Sequence, residues 1–317
     1  MNQQLRPLNL GETLDRTFQI YRSNFSLFAG IALTGALFNL IWYTLQVFAV
    51  RNAMSAGVGS AKFQIVNGIG SYGVLFVSLI ANSLVWGAMV VAVGRIYRGQ
   101  AVDIAGALQA LTPSWLRLAF VTMMAMVLAW GLPAAGAVSM FLILAKHGNR
   151  QNAGAMIAVG VIGLLFLVMI PLGIWLSLRF SLANAVAAFE GTGLATSLRR
   201  SASLVNGAKG RVFVLLLLVL VIETVLGLIL GIPSWASIAH NFRHPQLPLW
   251  LSIYGLATRV VLHTLVTPIF GIGLALFYFD ARARKEGLDV EWSMDATPAP
   301  NADLFASNPG ISPSPLG

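Results

Sequence analysis

The sequence predicts an all-α integral membrane protein with six transmembrane helices. Three observations carry that reading. The chain of 317 residues is 57% hydrophobic and only 10% charged, against about 25% charged in soluble domains, so it lacks the polar surface a water-exposed fold needs. Six apolar stretches reach the roughly 20 residues that cross a hydrocarbon core of about 30 Å as a helix. The basic residues concentrate in alternate connections, as the positive-inside rule requires.

The expected spans are 25–50, 72–93, 118–145, 153–178, 212–232 and 249–279. The last is long for a straight crossing and should tilt, kink or begin in the outer interface. Fourteen Lys and Arg lie before the first span, between the second and third, between the fourth and fifth, and after the sixth. The opposite side holds five, and Arg259 falls inside a span. This threading puts both termini in the cytoplasm and the chain in the cell (inner) membrane. Trp42, Tyr43, Tyr97, Trp115, Trp235 and Tyr278 near span ends read as an aromatic belt. The N-terminus lacks both a short apolar core behind a basic start and a small-residue cleavage site. The first span is therefore expected to act as an uncleaved insertion signal.

An internal repeat marks the cytoplasmic entrances. Leu10, Leu14, Phe18 and Tyr21 share one helical face. Ile104, Leu108, Thr112 and Trp115 repeat the spacing, as do Leu194, Leu198, Ala202 and Val205. Asn9 and Asp103 stand one residue ahead as N-caps, and Asn9 with Glu12 makes a capping-box variant. Each amphipathic segment precedes two spans. The membrane domain, 1–292, then reads as three direct repeats of a cytoplasmic amphipathic helix plus a helical hairpin, over about 9–100, 101–190 and 191–292. Pro113 should end the second amphipathic copy early. Residues 293–317 carry five prolines among small polar residues and read as a disordered, Pro-rich cytoplasmic tail.

Ionisable groups inside spans are functional candidates by default, which singles out Glu223, Arg259 and His263. Arg259 and His263 are four apart and share a helix face. In an antiparallel hairpin Glu223 and His263 differ in depth by roughly 12 Å. A direct pair then requires the sixth helix to tilt or break at Pro268, and Arg259 can instead snorkel outward. Pro133, Pro171, Pro233 and Pro268 are expected to interrupt four spans, a pattern seen at transport sites. Gly227 and Gly231 form a G-x-x-x-G that would admit another helix. On the cytoplasmic side Arg199, Arg200, Lys209 and Arg211, with Arg282, Arg284 and Lys285, read as anchors on anionic headgroups, each contributing about 1 kcal/mol. Asp280 can pair with Arg284, and Arg282 with Glu286, while Gly287 supplies the C-terminal turn.

Several function classes are excluded or disfavoured. The net charge of +9 is scattered over span ends and builds no stripe for a phosphate backbone, so no nucleic acid is expected. Zero Cys removes thiol chemistry. His240 and His244 have metal-like spacing but no third ligand, so neither metal nor cofactor is expected. Nucleophile elbow, phosphate loop and dinucleotide fingerprint are all missing.

At Pro7–Phe25, Ala187–Gly207 and Ala275–Trp292 the chain resembles the membrane-domain family associated with glycerophosphoryl diester phosphodiesterases. Its closing aromatic–Asp–Ala–Arg run followed by Arg-Lys-Glu-Gly is the most specific element. The resemblance covers Pro7 to Trp292 and implies a setting of membrane lipids. In that family the phosphodiesterase chemistry belongs to a separate barrel, for which the 25 residues after Trp292 leave no room, so no catalytic residue carries over. The resulting expectation is a non-enzymatic multi-pass protein, accessory to or organising lipid or envelope machinery. Its expected partners are membrane lipids with anionic headgroups, together with a membrane protein or a second copy of the chain. The alternative is a small transporter or channel with an intramembrane polar site at Glu223, Arg259 and His263.

Overall fold

The computed structural model describes residues 8–55, 57, 60–147, 153–240 and 248–295, and these form helices with no strand among them. In chain order the helices are α1 (Leu10–Ser23), α2 (Phe25–Met54), α3 (Ala61–Tyr97), α4 (Ile104–Gln109), α5 (Trp115–His147) and α6 (Ala153–Phe180). They continue as α7 (Ala183–Glu190), α8 (Leu194–Val205), α9 (Lys209–His240), α10 (Leu249–Glu286) and α11 (Leu288–Asp295). Six segments, built on α2, α3, α5, α6, α9 and α10, are long and apolar enough to cross a membrane. The sequence expectation of six holds, with longer helices than the apolar stretches alone define.

The short helices start where their caps dictate. Asn9 Oδ1 accepts from the Glu12 N–H and Glu12 Oε2 accepts from the Asn9 N–H, both at 2.8 Å, closing the capping box of α1. Asp103 Oδ1 accepts from the Gly106 N–H at 3.1 Å and opens α4. That helix stops at Gln109, and a single 3-10 turn over Thr112–Ser114 carries Pro113, since Pro lacks the N–H needed to extend the α ladder. The second amphipathic helix is therefore only six residues long. An unanticipated helix, α7, fills the connection ahead of α8. Its small residues Ala183, Ala185 and Ala187 are buried, and Gly191 ends it at φ 68, a left-handed conformation that glycine adopts without a steric penalty.

Two expectations about the long helices need correction. Pro133, Pro171, Pro233 and Pro268 do not interrupt their helices; each sits inside a continuous one. Proline removes one backbone hydrogen bond, and packing neighbours or local adjustments can accommodate the freed carbonyl at membrane depth. Tyr278, expected in the aromatic belt, does not face outward: it and Phe279 are both 0% exposed. Their rings pack on Phe189 of α7, with centroids at 5.8 and 5.2 Å.

The core lies around the second half of α10, which packs against α1, α2, α3 and α9. Gly271 faces Met89 of α3, and Gly273 faces Leu215 of α9, so closely that a Cβ would collide with either side chain. The opposite regime holds on α6, where Ile157, Leu164, Leu167 and Val168 are all more than 60% exposed. An apolar face this continuous belongs against hydrocarbon. At the C-terminal end, α11 carries helix through Asp295, three residues into the expected tail. The remainder of that tail, residues 296–317, falls outside the described residues.

Candidate functional site

Charge gathers in two places. The first is the end of the bundle where α10 finishes. Asp280, only 4% exposed, accepts from Arg284 Nε at 3.0 Å and from Arg211 Nη1 at 3.1 Å. It also accepts from the Leu8 N–H at 2.8 Å, while the Leu8 carbonyl accepts from both arginines. One buried carboxylate thus ties the segment ahead of α1 to the start of α9 and the end of α10. Next to it, Glu190 at the end of α7 bonds Arg200 of α8 and accepts from the Tyr278 hydroxyl at 2.8 Å. Glu286 bridges Arg200 and Arg282 at 2.9 and 2.8 Å. The carboxylates hold the Arg200 guanidinium above its usual range, with the Glu190 hydrogen bond the largest cause. Lys285 Nζ reaches the carbonyls of Ser203 and Asn206 at 2.6 and 2.9 Å, where the negative end of the α8 dipole favours a cation.

Of the seven basic residues read as headgroup anchors, Arg200, Arg211, Arg282 and Arg284 are engaged by carboxylates of the same chain. Lys285 terminates α8, Lys209 stands 4.8 Å over the Trp175 ring, and Arg199 is exposed. The expected Asp280–Arg284 and Arg282–Glu286 pairs both form, and Gly287 takes the left-handed turn at φ 69.

The second place is a cavity of about 920 Å³ between α2, α3, α9 and α10. It brings Glu223, Arg259 and His263 to one space. No hydrogen bond or ion pair joins them to one another. Arg259 projects over the ring of Tyr43 on α2, 4.8 Å from its centroid, a cation–π contact between two residues that line the cavity. His263 Nε2 lies 2.8 Å from Asn82 Oδ1 on α3. Its Nδ1 is buried and meets no hydrogen-bond partner. Glu223 is exposed to the cavity and has neither ion pair nor hydrogen bond among the described residues. It sits 14 residues beyond Lys209 on α9, about 21 Å along the helix axis. A charge this deep in a bilayer is expensive, about 2.5–3.5 kcal/mol on insertion scales.

Gly227 and Gly231 line the same cavity instead of seating another helix. A Cβ at Gly227 would meet open space, and Gly231 faces the indole of Trp235 on its own helix. The sequence reading did not single out Asn39, Ser78 and Asn82, which add a neutral polar wall. Asn39 is 6% exposed and its Oδ1 accepts from the Ser78 hydroxyl at 2.9 Å. Amides within apolar spans were the available signal, since such groups need interhelical partners. His244 falls outside the described residues. Among the described residues, no group of three or more His, Cys, Asp or Glu could hold a metal.

No family model, curated protein or solved structure matches this chain.

Proposed function

We propose that the chain is a non-enzymatic, multi-pass protein of the cell (inner) membrane that binds a zwitterionic ligand in the α2–α3–α9–α10 cavity and moves it across the bilayer. Both termini are cytoplasmic in this reading, and the three units of short helix plus hairpin are repeats. One observation carries the functional part: a carboxylate and a guanidinium line one intramembrane cavity without pairing. Charges whose only task is to fold the chain gain most by meeting. Held apart, Glu223 suits an ammonium and Arg259 a phosphate or carboxylate of the same ligand. The cavity gives the transport alternative the support it lacked in the sequence, and favours it over a purely accessory role. A zwitterionic phospholipid is the ligand we favour. The apolar walls beside the charged pair suit acyl chains, and the resemblance at the chain's charged segments supplies a lipid setting.

Native mass spectrometry of the purified chain tests this with phosphatidylethanolamine, phosphatidylglycerol and soluble phosphoethanolamine. The zwitterionic lipid is expected to be retained in preference to the anionic one. Glu223→Gln should erase the preference, and Arg259→Gln should weaken retention about tenfold, as losing one charge-assisted hydrogen bond does. Equal retention of both lipids by all three proteins would sink the proposal. Retention of phosphoethanolamine as strong as that of the lipid would reassign the ligand to the aqueous phase.

A further inference from the structure

Polar groups on three walls of the charged cavity close into a ring. Asn39 and Tyr43 on α2, Ser78 and Asn82 on α3, and Arg259 and His263 on α10 are pairs four residues apart. Each pair therefore stands on one helix face, and all six residues line the cavity. Three contacts link the pairs. The Ser78 hydroxyl donates to Asn39 Oδ1 at 2.9 Å, His263 Nε2 lies 2.8 Å from Asn82 Oδ1, and Arg259 stands over the Tyr43 ring. At this level α2 and α10 are close: a Cβ on Gly35, four residues before Asn39, would meet the His263 ring at 3.6 Å.

The ring is short of acceptors. The oxygen of each amide is engaged, while Asn39 Nδ2 and Asn82 Nδ2 donate to nothing among the described residues. The buried, unpartnered polar atoms include His263 Nδ1 but neither of these amide nitrogens, so both nitrogens keep accessible surface. An amide oxygen only accepts, so His263 Nε2 carries a proton and fixes which way the Asn82 amide points. The Ser78 hydroxyl does the same for Asn39. Arg259 is exposed and makes no hydrogen bond or ion pair among the described residues. Three unfilled donor groups, one from each helix, are thus tied into one ring.

We propose that Arg259, Asn39 and Asn82 together bind the phosphate of a phosphodiester headgroup, with His263 and Ser78 as positioning residues that aim the two amides. This rests on the ligand-binding reading of the cavity and decides which anionic group Arg259 takes. An anion drawn out of water needs hydrogen bonds as well as a counter-charge. A carboxylate has two oxygens in one plane, and the guanidinium fork fills both, which would leave the amides idle. A phosphodiester carries one negative charge, matching the single charge of Arg259, and offers oxygens on more than one side. Those oxygens accept from Asn39 Nδ2 and Asn82 Nδ2. The amides add hydrogen bonds without adding a second cation, so Glu223 on the α9 wall stays open to the ligand's ammonium.

Two zwitterionic lipids that share a quaternary ammonium separate the cases. Phosphatidylcholine carries a phosphate, and the betaine lipid diacylglyceryl trimethylhomoserine carries a carboxylate. In native mass spectrometry of the purified chain, phosphatidylcholine is expected to be retained about tenfold more strongly, the worth of one hydrogen bond to a charged group. Asn82→Asp still accepts from His263 but loses its donor, and Asn39→Asp does the same beside Ser78. Either should erase the preference, with retention of the betaine lipid reporting that the variant has folded. His263→Leu should reduce the preference, and His263→Gln, which again donates to Asn82, should restore it. Equal retention of the two lipids by the unaltered chain would overturn the phosphate site, as would a preference that survives both Asp variants. Failure of the zwitterion reading shows separately. Phosphatidylglycerol retained as well as phosphatidylcholine, with the betaine lipid lost, would keep the phosphate site and dismiss the ammonium at Glu223. Displacement of phosphatidylcholine by soluble phosphocholine would likewise keep the site and move the source of its phosphate to the aqueous phase.

Discussion

The charged end of the bundle and the intramembrane cavity treat ionic groups in opposite ways. At the charged end Glu190, Asp280 and Glu286 each lie within 4.0 Å of two arginines, and together they fasten α7, α8, α9 and α10. In the cavity Glu223 and Arg259 have opposite signs and a shared space, yet no bond joins them. The first arrangement holds a fold in place. The second leaves a field that a ligand can complete. Position alone does not separate them, because Asp280 is far more buried than Glu223; the number of partners does.

The contrast breaks most visibly at Asp280. Asp280→Asn preserves size but leaves Arg211 and Arg284 without their counter-charge in a nearly closed site. Removing one member of a buried ionic cluster costs about 3–5 kcal/mol, with Arg211 and Arg284 about one-third exposed, so the lower figure is the expectation. Thermal unfolding of the detergent-solubilised variant should show a clear drop, and an unchanged midpoint would mean that the cap is ornamental. Asn82→Ala comes next. It removes the partner of His263 Nε2, whose other ring nitrogen already has none, and should cost about 1–3 kcal/mol. If unfolding is unmoved, water or another side chain satisfies the imidazole and the polar wall of the cavity is less organised than its geometry implies.

The sequence made the spans legible because hydrophobic length alone determines them, and the caps at Asn9 and Asp103 because they are local. The closing stretch at Asp280–Gly287 was legible for the same reason, its pairs lying four residues apart on one helix. What it did not disclose is everything set by helix packing. Arg200 and Arg211 resemble headgroup anchors until tertiary structure brings Glu190, Glu286 and Asp280 to them from other helices. Tyr278 carries an interfacial residue type into the core because α7, unrecognised in a run of small residues, covers it. Glu223, Arg259 and His263 were found from the cost of charge in lipid, but the cavity that unites them depends on how α9 stands relative to α2 and α3. Proline is the exception, since the local rule predicts a break at Pro133, Pro171, Pro233 and Pro268 where each lies inside a continuous helix.

The smallest effects sharpen the comparison most. Tyr43→Leu removes the ring under Arg259 at a partly exposed site and should cost only about 0.5–1 kcal/mol, while freeing the guanidinium to leave the cavity. Smaller still is the stability effect of Glu223→Gln. A carboxylate with no partner contributes no ion pair to the fold, and the neutral amide is easier to place in a bilayer. Unfolding should therefore stay within about 0.5 kcal/mol of the parent or rise slightly, measured in the same detergent as Asp280→Asn. If Glu223→Gln destabilises as much as Asp280→Asn, Glu223 has a structural partner and the cavity is a second cap. If stability holds while lipid selectivity disappears, one carboxylate serves the ligand and the other serves the fold.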